Sequence, residues 1–123
     1  MKPIRLTEKF SQIDQPWSPR VVAALNGQEV KLAKLEGEFI WHAHEDEDEL
    51  FLVISGELEI ELREDGVEKS VTLAPGELVV VPRGVEHRPI ARQGAEVLLF
   101  EPSGTVNTGT AGGERTVENP EWL

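Results

Sequence analysis

An antiparallel β-barrel or sandwich is the fold class this sequence predicts, and three observations carry it. Between Val21 and Phe100, apolar runs of four to eight residues, rich in Val, Ile, Leu and Phe, are separated by turn residues. No helical segment intervenes between them. Finally, 57-ELEIEL-62 alternates strictly, with Glu57, Glu59 and Glu61 on one face of a strand and Leu58, Ile60 and Leu62 on the other.

The runs follow in order as 28-QEVKLAKL-35, 38-EFIWHAH-44, 50-LFLVIS-55, 57-ELEIEL-62, 77-ELVVVP-82 and 95-AEVLLFE-101. Asp65-Gly66 is a hairpin dipeptide, because two consecutive residues at positive φ match the twist of the flanking strands. Ser55-Gly56, Pro75-Gly76 and Arg83-Gly84 mark further turns. Pro3, Pro16 and Pro19 exclude a long helix from residues 1–20. Residues 102–120, rich in Gly, Thr and Asn, read as extended loop, and the apolar end Trp122-Leu123 is expected either to dock or to fray.

With 123 residues the chain is expected to form one domain: an arm over 1–20, a barrel over about 28–101 and a tail over 102–123. The net charge of −11 argues against binding nucleic acid or an acidic membrane, since both need cations to replace phosphate counterions. No apolar stretch has the length of a membrane span or the form of a signal peptide, so a cytoplasmic location is expected. There is no cysteine, which leaves only nitrogen and oxygen ligands for any metal.

The chain has three histidines, His42, His44 and His87. Strand periodicity puts His42 and His44 on one face, a natural beginning for a transition-metal site, and Trp41 on the other. Of the acids 45-EDEDE-49, most must be solvated. Glu49 is singled out because it directly precedes the apolar run 50–55, where the chain re-enters the core; Glu45 is the alternative. Val79-Val80-Val81 run into Pro82, and the Arg83-Gly84 turn delivers His87 to the start of the next strand. The same parity nominates Ile40, Phe51, Val53 and Pro89 as walls of an apolar pocket around the histidines. Arg83, Arg88 and Arg92 lie near enough to meet an anionic substrate, although surface placement is the ordinary fate of such residues.

These residues resemble the cupin superfamily. Its first motif, G-x(5)-H-x-H-x(3,4)-E-x(6)-G, is met by Gly37, His42, His44, Glu49 and Gly56, with the first interval one residue short. Its second, G-x(5)-P-x-G-x(2)-H-x(3)-N, is met by Gly76, Pro82, Gly84 and His87, with Ala91 in place of the final Asn. In size and in its closing stretch the chain is similar to the small single-domain bacterial cupins. The resemblance implies a jelly-roll (double-stranded β-helix) barrel and one divalent transition metal (Fe, Mn, Ni, Zn or Cu) on His42, His44, Glu49 and His87. Each ring would donate its other nitrogen to a supporting acceptor.

The resemblance also implies a small-molecule ligand, and suggests a homodimer with N-terminal segments crossing between subunits. A metal-dependent oxygenase, isomerase or lyase is the leading expectation. The alternatives are a non-enzymatic binding or sensing barrel and a barrel that uses metal for stability alone. Tyrosine is absent and all three histidines are committed, so a general base other than a carboxylate is hard to find among the side chains.

Overall fold

The computed structural model describes residues 1–123 as a jelly-roll barrel of seven strands preceded by one short helix, α1 (Leu6–Ser11). The strands are β1 (Arg20–Leu25), β2 (Gln28–Glu38), β3 (Glu49–Gly56), β4 (Leu58–Glu64), β5 (Val67–Leu73), β6 (Leu78–Val81) and β7 (Glu86–Pro102). All pairings are antiparallel, in the order β1-β2-β7-β3-β6, with β4 joined to β7 and β5 to β4. No helix is long and apolar enough to cross a membrane.

Two hairpins are closed by the turn chemistry described above. Asp65 and Gly66, at φ 52° and 75°, join β4 to β5. Asn26-Gly27, at φ 51° and 77°, does the same between β1 and β2, ahead of the first run that the sequence suggests as a strand. In β4, Leu58 and Ile60 are fully buried, while Glu59 and Glu61 face outward to Arg92 and Arg88. Each such aliphatic side chain contributes roughly 1.5–3 kcal/mol on leaving water.

β7 is the long element. Its first half, Glu86–Ile90, pairs with β4, with Ile90 and Ala91 also meeting the end of β2, and its second half, from Ala95 on, pairs with β2 and β3. Between the halves the exposed Arg92-Gln93 and Gly94 make a corner. The sequence shows only the apolar second half clearly, because the first half carries Arg88 and Pro89 in its alternation.

The expected strand 38–44 is not formed beyond Glu38. Glu38 pairs with Ile90 and the next bridge is His42 with His87, so residues 39–41 stand opposite only residues 88–89. Pro89 has no N–H to offer the ladder, and one extra residue bulges out. The bulge inverts side-chain parity, so Phe39 and His42 are both buried while Ile40 is turned half out. The tail does dock, and on its own chain: Trp122 bridges Val21 in parallel, Leu123 N–H donates to Val21 O, and Leu123 packs near Phe10, Ile13, Val22 and Leu32.

Gly56 lies where the end of β3 crosses the β7 corner. It sits at φ 82°, and a Cβ there would be 2.3 Å from the Gly94 carbonyl oxygen. Gly56→Ala is therefore expected to destabilise by about 2 kcal/mol or more, from a strained φ and a backbone clash together. Urea unfolding of the variant against wild type measures it.

Candidate metal centre

Three segments deliver the polar cluster. His42 and His44 come from the bulged run after β2, Glu49 opens β3, and His87 opens β7. His42 and His87 are locked together by reciprocal backbone hydrogen bonds of 3.0 and 2.8 Å. The turn after β6 is tied in by Gly84 N–H donating to His44 O at 2.8 Å. All four side chains are buried, and one ligating atom from each lies within 4.8 Å of the others. Of the acidic run, Glu45, Asp46 and Asp48 are exposed and Glu47 is half-buried, so Glu49 is the one that enters the core.

The rings are aimed. His42 Nδ1 donates to Ile40 O at 2.9 Å and His87 Nδ1 to Val85 O at 3.0 Å, which fixes the tautomer and turns each Nε2 toward the centre. Glu49 Oε1 lies 3.4 Å from His44 Nε2 and 3.5 Å from His87 Nε2. Both nitrogens of His44, Nε2 of His87 and Oε1 of Glu49 are buried without a hydrogen-bond partner. Leaving such atoms unsatisfied costs about 1–3 kcal/mol each, and converging imidazole nitrogens with one carboxylate are the donor set of a divalent transition metal. The cluster could therefore hold one. His44 departs from expectation in having no acceptor for Nδ1; its ring is instead packed by Gly109, where a Cβ would meet Ala43 O at 2.1 Å.

Beside the cluster is a cavity of about 40 Å³ lined by His42, Glu49, Phe51, Pro89, Phe39 and Trp17, with Leu35 and Leu99 among its apolar walls. Phe51 and Pro89 are in its wall. Ile40 is not, because of the bulge, and Phe39 replaces it. Val53 faces inward as parity requires but is sealed in the core beneath the cavity. Trp17 stacks on Phe39 with ring centroids 4.6 Å apart, and Arg115 lies 5.8 and 5.6 Å from the two rings. Asn107, also in the wall, spends its amide on Arg115 O and Val117 N–H. Arg83, Arg88 and Arg92 line no part of the cavity and pair with Asp48, Glu61 and Glu59.

Sequence reasoning missed a buried pair beside Glu49. Lys31 Nζ donates to Glu101 Oε1 at 2.9 Å, and both side chains are almost wholly enclosed. Strand periodicity carries the signal: Lys31 is in phase with Ala33 and Leu35, and Glu101 with Val97 and Leu99. The carboxyl groups of Glu49 and Glu101 are in contact. Burial and the Glu49 charge hold Glu101 well above the usual carboxylate range. Burial works to raise Glu49 too, but its partners Glu101, His44 and His87 outweigh that and hold it low.

The cupin-domain family model (Cupin_2) matches residues 26–101. The chain is a cupin. A cupin-2 domain containing protein from Shewanella frigidimarina NCIMB 400 is 45% identical, with a TM-score of 0.75 over 80% of this cupin and 93% of that chain. The uncharacterized protein YdbB of Bacillus subtilis (strain 168) is 36% identical over 67 residues, 54% of this chain. The match spans only 57% of that relative's length. A hydroquinone 1,2-dioxygenase, PnpCD, solved in complex with Fe3+, shares the fold at 18% identity, with a TM-score of 0.74 over 84% of this cupin and 33% of that chain.

The two imidazoles of the 42–44 segment should titrate apart. Burial and then His87 push His42 from 6.5 down to about 4. Burial also works to lower His44, but the Glu49 carboxylate outweighs it and raises His44. His42 binds its proton less readily folded than unfolded, so its share of stability is present above pH 6.5 and is lost as the pH falls toward 4. In chelator-treated protein, ring NMR signals are expected to show His42 titrating near 4 and His44 above 6.5.

Proposed function

We propose that this cupin is a metal-dependent enzyme acting on a small organic molecule, with His42, His44, Glu49 and His87 as the ligands of one divalent transition metal. The observation that carries the reading is the convergence of four buried donor side chains, two of which, His42 and Glu49, also line an aromatic-walled cavity. A metal held there supplies Lewis-acid or redox chemistry at a site that the protein keeps dry. Walls formed by Trp17, Phe39 and Phe51 suit a flat ring against aromatic faces better than a polar extended chain. The apolar walls limit access of water, and the Ile40 and Val85 carbonyls keep the His42 and His87 rings aimed. The fold likeness to a hydroquinone 1,2-dioxygenase makes oxygenase chemistry on a phenolic ring the first branch to test.

One observation favours a second reading, a barrel that binds its ligand without turning it over. The polar lining residues are His42, Glu49 and Asn107, and the amide of Asn107 is already spent on backbone. No independent proton-transfer group faces the cavity.

Element analysis of untagged protein is expected to give one metal per chain, and His42→Ala or His87→Ala to abolish it. Metal retained at full stoichiometry in either variant would overturn the ligand set. After anaerobic reconstitution, oxygen uptake with catechols, hydroquinones, thiols and keto acids separates the branches. Uptake with Fe alone supports the oxygenase, and turnover with Zn supports an isomerase or lyase. Tight binding with no turnover on any metal supports the binding barrel.

We also infer a homodimer built on the outer face of β2-β7-β3-β6. The registers align Val30, Phe100, Leu50 and Val80 in one row and Leu32, Leu98, Leu52 and Leu78 in the next. The cluster around α1 covers the Val30, Leu32 and Leu98 end, while Leu78 and Val80 stay more than half exposed. An apolar face of this kind is a candidate for isologous pairing about a two-fold axis. Light scattering is expected to show a dimer that Leu78→Asp with Val80→Asp converts to monomer.

A further inference from the structure

We propose that Glu101, held by Lys31, is a positioning residue for Glu49: it fixes the carboxylate so that one oxygen faces the three imidazoles. The proposal rests on the metal reading above and extends it by one layer of side chains.

Three adjacent strands meet here. Lys31 is on β2, Glu101 on β7 and Glu49 on β3. Glu49 lies one step beyond the Leu50–Phe100 pair, which places it directly beside Glu101 across the sheet. Lys31 is 1% exposed and Glu101 2% exposed, which is rare for either residue type unless it is paired. Lys31 uses its donors on Glu101 Oε1 at 2.9 Å and Thr105 O at 3.3 Å, and Glu29 Oε1 lies 3.8 Å away. Glu101 is thus clamped through one oxygen. Its other oxygen, Oε2, is buried with no donor from elsewhere in the protein, and its carboxyl group meets Glu49.

A pair kept only for stability would not need that arrangement. Buried ion pairs cost so much desolvation that apolar side chains of similar size commonly serve as well. Two carboxyl groups side by side hold together only by sharing a proton, so the free Glu101 oxygen serves as a donor to the metal-ligand carboxylate; losing such supports typically weakens metal binding by roughly 10–100-fold.

The test uses full-length protein with Zn(II) competition against a chelator, and the Co(II) absorption spectrum as a report on ligand geometry. Lys31→Met with Glu101→Leu removes both buried polar groups together, so neither is left without its partner. It is expected to melt close to wild type without metal, to bind Zn(II) about 10–100-fold more weakly, and to show an altered Co(II) spectrum. Glu101→Gln can still donate to Glu49 and accept from Lys31, so it should keep affinity within a few-fold of wild type. It also reads the proposal if the double variant does not fold.

A folded double variant that binds Zn(II) as tightly as wild type, with an unchanged spectrum, would overturn the positioning role. So would a Glu101→Gln variant with the loss expected of the double variant. Wild-type protein that takes up no metal would instead sink the metal reading, and with it any role for Glu101 toward a metal.

Discussion

Six ionisable or ligating side chains are enclosed in the middle of an apolar barrel: His42, His44, Glu49, His87, Lys31 and Glu101. Water cannot satisfy them there, so the surrounding backbone is arranged to do so. The carbonyls of Ile40 and Val85 orient two rings, the Thr105 carbonyl takes a lysine donor, and the Gly84 amide holds the His44 carbonyl. Three of the atoms still unpaired after this, Nε2 of His44, Nε2 of His87 and Oε1 of Glu49, converge, which is why the cluster reads as a binding centre rather than as a packing fault. The C-terminal segment helps to enclose the cluster. Gly109 and Thr110 lie against Ala43 so closely that only a residue without a side chain fits at position 109.

Much of this was legible in the chain because the relevant signals are local. His42 and His44 are two residues apart, Glu49 precedes an apolar strand, and His87 follows a Pro-x-Gly turn. The Cupin_2 match bears out the family that these spacings suggest. What stayed hidden depends on partners distant in sequence. The bulge at residues 39–41 exists because Pro89 sits opposite it, and nothing within 38–44 announces that. Lys31 and Glu101 had the parity of buried residues, but charge argues for the surface until each is seen to satisfy the other. Trp17, in a proline-rich stretch with no periodicity, reaches the cavity only because its N–H and ring find Lys34 O, Glu36 O and Phe39.

The two outer faces of the barrel differ in character, and the β7 corner separates them. Where the first half of β7 meets β4, the surface is a lattice of Arg63, Arg88, Glu61, Glu38 and Glu86, with the Arg63 guanidinium 3.7 Å over Trp41. Exposed pairs of this kind add little stability individually but keep the face wet. Where the second half meets β2 and β3, the same strand shows Leu98 and Phe100 in a nearly uncharged field. The corner thus lets one strand serve a solvated face and a dry one.

β7 also sets the order in which the molecule can assemble. Hairpins such as β4–β5 close between chain neighbours, but β2 pairs residues as remote as Gln28 and Pro102, and His42 must wait for His87. Closing loops of that span loses chain entropy before any contact repays it, and topologies dominated by such pairings fold on the millisecond-to-second scale rather than in microseconds. The donor cluster is therefore a late product of folding. An ion in solution would meet scattered histidines on the nascent chain and a formed centre only once the long strand had been threaded between its neighbours.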